Sequence, residues 1–188
     1  MRNGGIKSGA FIGAALFGGL LLFGACTAKE NKQGDNRKLD IQTPIGDLHV
    51  SSEVDAQDIG LAVYPGARIR PSSENNKGSA NVNISTSVFG VKVAVLEYLS
   101  DDSPAKVAEF YRRELAKYGT VLECRGSGHV AIPKGENQEL SCEAKSGEAM
   151  ELKVGTRSHQ HLVSIKPDGQ GTQFSLVYIN TRGEQGGL

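Results

Sequence analysis

An excess of charge of either sign is missing from this chain: 21 Lys and Arg stand against 21 Asp and Glu. It therefore has no basic surplus of the kind that phosphate backbones select, and nucleic acid is excluded as an expected partner. Cysteine is scarce, at three residues, and no two of them form a CxxC pair, which removes the commonest zinc spacing. No Gly-rich run qualifies as a phosphate loop, since Gly169-Gln170-Gly171 follows Pro167-Asp168 and reads as a hairpin turn. Repeated strand-helix-strand units are lacking, which argues against a parallel α/β sheet. No cofactor motif is present, and none is expected to bind. Long apolar runs are lacking too. The single run, at 10–24, is about fifteen residues and is diluted by Gly13, Gly18, Gly19 and Gly24, whereas a membrane-spanning helix needs about 20.

What is present begins at that run. Arg2 and Lys7 supply positive charge ahead of it, which is the layout of a signal peptide. The next residues, Leu22-Phe23-Gly24-Ala25-Cys26, resemble the lipobox of bacterial lipoproteins, in which an apolar residue and two small ones precede a cysteine. The family usually places Leu, Val or Ile three residues before that cysteine; here Phe23 stands there and Leu22 one step earlier. The resemblance implies removal of residues 1–25, a lipid on the sulfur of Cys26, and a mature chain that starts at Cys26. It implies the cell envelope as location. By the lipoprotein sorting pattern, Thr27 rather than Asp after the cysteine favours the outer membrane, facing the periplasm, if the cell is Gram-negative.

Without residues 1–25 the chain keeps 163 of its 188 residues, enough for one domain with a real core. Arg2 and Lys7 leave with the signal, so 19 basic residues remain against 21 acidic ones, a formal balance of −2. The two remaining cysteines, Cys124 and Cys142, would meet an oxidising compartment in which disulfides persist. Each shares parity with a leucine, Leu122 and Leu140, in strand-like segments at 120–125 and 139–143. We therefore expect a Cys124–Cys142 disulfide across a hairpin, worth roughly 3 kcal/mol by loop closure.

Residues 26–38 show no apolar periodicity and are rich in Lys, Asn, Gln and Gly, so they read as a flexible tether. A single domain is expected over 39–180, with a loose tail at 181–188. Within it, 39–50 reads as two strands around Pro44-Ile45-Gly46, and Tyr64-Pro65-Gly66-Ala67 as a turn ahead of a polar loop. Val82 and Ile84, then Val91, Val93 and Val95, alternate on either side of Phe89-Gly90 and suggest a hairpin. A helix is expected over about 103–118. Ser103 would cap it, Pro104 would take its first position, Val107, Tyr111, Leu115 and Tyr118 would form its apolar face with Phe110 beside them, and Gly119 would close it. Further strands are expected at 120–125, 139–143, 150–154, 161–166 and 173–180. Phe174, Leu176 and Tyr178 on one parity, with Val177 and Ile179 on the other, mark the last as an interior strand. The fold class is α+β: a mainly antiparallel sheet covered by one amphipathic helix.

A second, weaker resemblance lies in Tyr64-Pro65-Gly66-Ala67, a following strand, and Asp101-Asp102-Ser103-Pro104-Ala105-Lys106-Val107 leading to Phe110-Tyr111 and Leu115. This is similar to a pattern in uncharacterised exported bacterial proteins. It covers about a third of the chain and implies no activity.

Three constellations invite a chemical reading. Ser103-Pro104-Ala105-Lys106 matches the S-x-x-K element of penicillin-recognising enzymes, but S-D-N and K-T-G are missing, so a helix cap is the better reading of Ser103. Asp101 and Asp102 precede a helix, where negative charge suits the dipole. His159 and His161 would project from one face of a strand, a workable start for a Zn or Cu site, with His129 or Glu143 as a third donor only if the fold brings one close. The function expected is that of a membrane-anchored envelope lipoprotein, a non-enzymatic binding or structural module whose partner is the membrane, through Cys26, together with an envelope protein, glycan or small ligand. The alternative is a periplasmic metal-binding protein or metal-dependent hydrolase using His159 and His161.

Overall fold

The computed structural model describes residues 27–33, 36–71, 78–126, 139–142 and 147–183. In chain order these form β1 (Thr27–Gln33), β2 (Asn36–Thr43), β3 (Gly46–Ser51), α1 (Ala56–Ile59), β4 (Arg68–Ile69), β5 (Ser79–Thr86), β6 (Gly90–Ser100), α2 (Pro104–Leu115), β7 (Leu122–Gly126), β8 (Ala149–Gly155), β9 (His159–Asp168) and β10 (Gly171–Arg182). The strands make one ten-stranded sheet in the order β1-β2-β3-β5-β6-β10-β9-β8-β7, with β4 paired to the far end of β6. Every pairing is antiparallel. The architecture is α+β and mainly β, with one main helix packed on the sheet.

That helix forms where its apolar spacing and Pro104 place it. Ser103 is the N-cap residue, but its hydroxyl makes no capping bond; its backbone carbonyl accepts from Lys106 and Val107 instead. Regular helix stops at Leu115, and 116–118 are turn. Val107, Ala108, Tyr111 and Leu115 are all fully buried. They meet a grid of side chains set by the sheet register: Tyr98, Phe174, Ile165 and Met150 in one cross-strand row, and Leu96, Leu176, Val163 and Leu152 in the next. Tyr98 and Phe174 stack with centroids 5.4 Å apart, and Tyr111 lies 5.5 Å from Phe174.

The sheet's apolar side changes along its width. In β6 and β10 the residues of opposite parity are also apolar, and Val177, Ile179 and Leu162 form a second buried cluster on the face away from α2, flanked by Val93 and Val95. Val82 pairs with Val93, Val50 with Val82 and Leu39 with Val50, so β5, β3 and β2 turn their apolar residues to that second face. Their polar residues lie on the side of α2. As expected of an interior strand, β10 is buried on both faces.

The structure departs from the expectations in three places. The segment read as a tether, 26–38, instead supplies β1 and the first residues of β2, a hairpin pair at the sheet edge. An edge strand is held through its backbone, so polar side chains do not forbid it. Cys124 and Cys142 are joined by a disulfide, as expected, but among the described residues their two segments do not pair with each other. β7 pairs with β8, Cys124 standing opposite Glu151, while among the described residues 139–142 contributes an isolated bridge from Glu139 to Thr156. In the expected tail, Thr181 and Arg182 continue β10 against Val91 and Gly90; 184–188 lies outside the described residues.

Candidate functional site

The alternation His159-Gln160-His161 in β9 puts both imidazoles on the α2 side of the sheet, as the sequence implied. Cross-strand register then assembles neighbours that no local pattern announces. His161 stands opposite Tyr178, and His159 opposite Asn180, which itself pairs with Lys92. The row through His159 continues across Lys92 to Asn83, His49, Asp40 and Lys29. This is a polar row on the face that carries α2, just beyond the helix.

His161 is the buried end of the cluster, at 6% exposure. Its ring lies 4.1 Å from that of Tyr118, at the end of the α2 turn, and 5.1 Å from that of Tyr178. The backbone at the end of α1, Ile59 and Gly60, lies beside it. Burial holds its pKa below the ordinary 6.5, and His159 acts in the same direction. The Tyr118 hydroxyl donates to the Gly60 carbonyl, so the helix end, α1 and β9 are fastened at one point. His159 is exposed, with its ring 5.5 Å from Tyr178 and 6.3 Å from His161. The Lys92 ammonium sits 5.8 Å from the centroid of Tyr178. Farther along the row His49 pairs with Asp40.

The arrangement offers imidazole, amide, ammonium and aromatic faces side by side, a set suited to hydrogen-bonding and stacking with a polar ligand. Metal ligation needs a third donor. Among the described residues no three His, Cys, Asp or Glu lie close enough together to hold a metal ion. Cys26, His129 and Glu143 lie outside the described residues.

The residues of the Tyr64 and Asp101 patterns are brought together, and their contacts are structural. The Tyr64 hydroxyl donates to Asp102 at 2.9 Å, and the Tyr64 N–H donates to the buried Tyr111 hydroxyl at 3.1 Å. Lys106 bonds Asp102 at 2.8 Å, and these two donors hold the Asp102 carboxyl below the usual carboxylate range. Lys106 is thus turned to Asp102, and the serine-lysine reading finds no support. Asp101 takes a bidentate pair from Arg68, at 2.9 Å each. Asp101 and Arg68 border a polar cleft of about 440 Å³ with Asp168 and Gln170 at the β9–β10 turn.

Among the described residues no helix is long and apolar enough to cross a membrane. Comparison with models of known protein families, with curated proteins and with solved structures finds no match.

Proposed function

We propose that the chain is an envelope lipoprotein, anchored through lipid on Cys26, whose domain is a non-enzymatic binding or structural module. The observation that carries this reading is the placing of Leu22-Phe23-Gly24-Ala25-Cys26 directly before Thr27, where the first strand of the sheet begins. The Cys124–Cys142 disulfide supports an oxidising compartment. Several acyl chains, at about 0.8 kcal/mol per buried methylene, would hold such a domain on a membrane where one chain would not. For a Gram-negative cell, Thr27 favours the outer membrane facing the periplasm.

The binding reading rests on the polar row. Its central members, Lys92, Asn180 and His159, flank Tyr178 and present donors and an aromatic face together, while the candidate catalytic groups are engaged in structural contacts: Lys106 with Asp102, and His161 with Tyr118. A partner with hydroxyl, amide or carboxylate groups, whether glycan, protein or small molecule, fits that chemistry.

The test is native mass spectrometry, without reductant, of protein extracted from its own membranes in mild detergent. A mass starting at Cys26 with acyl chains and two hydrogens fewer than the reduced chain supports the anchored module. An unmodified Cys26, or a retained signal segment, overturns the anchor. A stoichiometric metal ion would instead restore the histidine pair as a metal site.

A further inference from the structure

One cross-strand row closes one end of the sheet: Thr27, Gln42, Asp47, Ser85, Gly90 and Arg182 stand side by side. Just past this row lie two adjacent hairpin tips, the β2–β3 turn with Ile45 and the β5–β6 turn with Val88. Their neighbourhood is fixed by the pairing of Gly46 with Thr86. Ile45 is 82% exposed and Val88 73%. The other large exposed apolar residues of the described chain, Val63, Ile69 and Tyr118, reach at most 46%. A lone exposed apolar residue calls for no explanation, but two on neighbouring tips beside one end of a sheet form a patch.

The tips are built features. Thr86 Oγ1 accepts from the Val88 and Phe89 N–H groups and donates to the Phe89 carbonyl, which fixes the β5–β6 turn. Gly183 passes directly beneath it with φ +80°, where a Cβ would stand 1.9 Å from the Val88 carbonyl oxygen. The turn is thereby held with Val88 outward. Arg182 and Asp47 are both exposed in the closing row, one cation against one carboxylate, so these two charges leave no net repulsion toward anionic headgroups.

The same end receives the start of β1. Thr27 pairs with Gln42, so the chain enters the sheet beside the β2–β3 tip, one residue after Cys26. We infer that this end of the sheet seats on the lipid bilayer, with Ile45 and Val88 inserted at the boundary between headgroups and acyl chains. The inference rests on the lipid-anchor reading of Cys26, and it adds a fixed orientation: tips down, the β9–β10 turn away from the membrane. Interfacial amphipathic helices bury their apolar faces about 5–10 Å into that boundary, and the two tip side chains would reach the same zone.

The chain has no tryptophan, so single tryptophans report depth without background. Full-length lipoprotein variants Ile45→Trp, Val88→Trp and Gln170→Trp, the last on the opposite turn, are purified from membranes. They are reconstituted into phosphatidylglycerol-containing vesicles with brominated acyl chains, and mass spectrometry of each sample reads the state of Cys26. The expected result is blue-shifted, bromine-quenched emission at 45 and 88 and unshifted, unquenched emission at 170. Lipid on Cys26 with no quenching at either tip, or with equal quenching at 170, overturns the seating and leaves the anchor standing. An unmodified Cys26 removes the anchor and the seating together.

Discussion

The disulfide is the feature whose removal gives the sharpest quantitative test. It joins Cys124, 5% exposed in β7, to Cys142, 18 residues later. β7 is the terminal strand of the sheet, five residues long and paired on one side with β8. Closing a loop of this length removes conformational entropy from the unfolded chain worth roughly 3 kcal/mol. The double variant Cys124→Ala/Cys142→Ala should therefore lose roughly 3 kcal/mol, a fall in melting temperature of roughly 6–12 °C for a domain of this size. Urea unfolding of oxidised wild type and double variant gives the difference, with the denaturant slope checking that both unfold in one transition. Hydrogen exchange separates two routes to the loss. A purely unfolded-state effect lowers protection across all the core strands, whereas loosening of the edge shows first in 122–126. A double variant within about 1 kcal/mol of wild type, with β7 protection unchanged, would refute the loop-closure account.

Other perturbations follow from single contacts. Tyr111→Phe keeps the ring but removes the oxygen that accepts the Tyr64 N–H, and should cost about 1–2 kcal/mol in urea unfolding; a neutral result would mean that water replaces the hydroxyl. Phe174→Ala empties the centre of the ring cluster at 1% exposure and should cost about 3–5 kcal/mol, enough to reduce the yield of folded protein. His161 is held below its ordinary pKa of 6.5 by burial and by His159. The unfolded chain therefore binds the proton more readily, and the stability this residue contributes is present above pH 6.5 and lost as pH falls through the depressed folded value. Urea midpoints of wild type should drop between pH 7.5 and 5 more steeply than those of His161→Phe, and parallel profiles would dismiss the histidine as the cause.

Much of the fold was legible because alternation and helical spacing are local. Val82 and Ile84 met Val93 and Val91 in the hairpin that their parity implied, and Val107, Tyr111 and Leu115 formed the buried helix face. One miss had a local signal that could have been used. Asp55 and Asp58 form a reciprocal capping box, and Gly60 closes the turn in the left-handed region, so α1 was written in the sequence. β1 carried no such sign, since TAKENKQ has no apolar stripe and its pairing runs through the backbone. The partner of β7 was misassigned because parity says which side chains share a face but not which strand lies alongside. Met150 and Leu152 in β8 had an equal claim to that place, and they took it.

The candidate site was legible only in its first pair. His159 and His161 share a face by alternation alone, but Tyr178, Lys92 and Asn180 join them through register, and Tyr118 arrives from the end of a helix over forty residues away. That polar row exists because the sheet's apolar side changes at β6. Strands β8 and β9 bury Leu152, Val154, Val163 and Ile165 against α2, whereas β2, β3 and β5 turn their apolar residues the other way, which leaves Asp40, His49 and Asn83 on the side of the helix. A twelve-residue helix covers a limited width. At about 1.5 Å per residue it is roughly 18 Å long, while neighbouring strands are about 4.8 Å apart, so it cannot shield all the strands. The uncovered strands must then present polar groups on that side. The row beside α2 is thus first a consequence of packing, and its use in binding has to be argued from the exposed His159 and the half-buried Tyr178 ring beside it, an imidazole and an aromatic that packing alone did not require there.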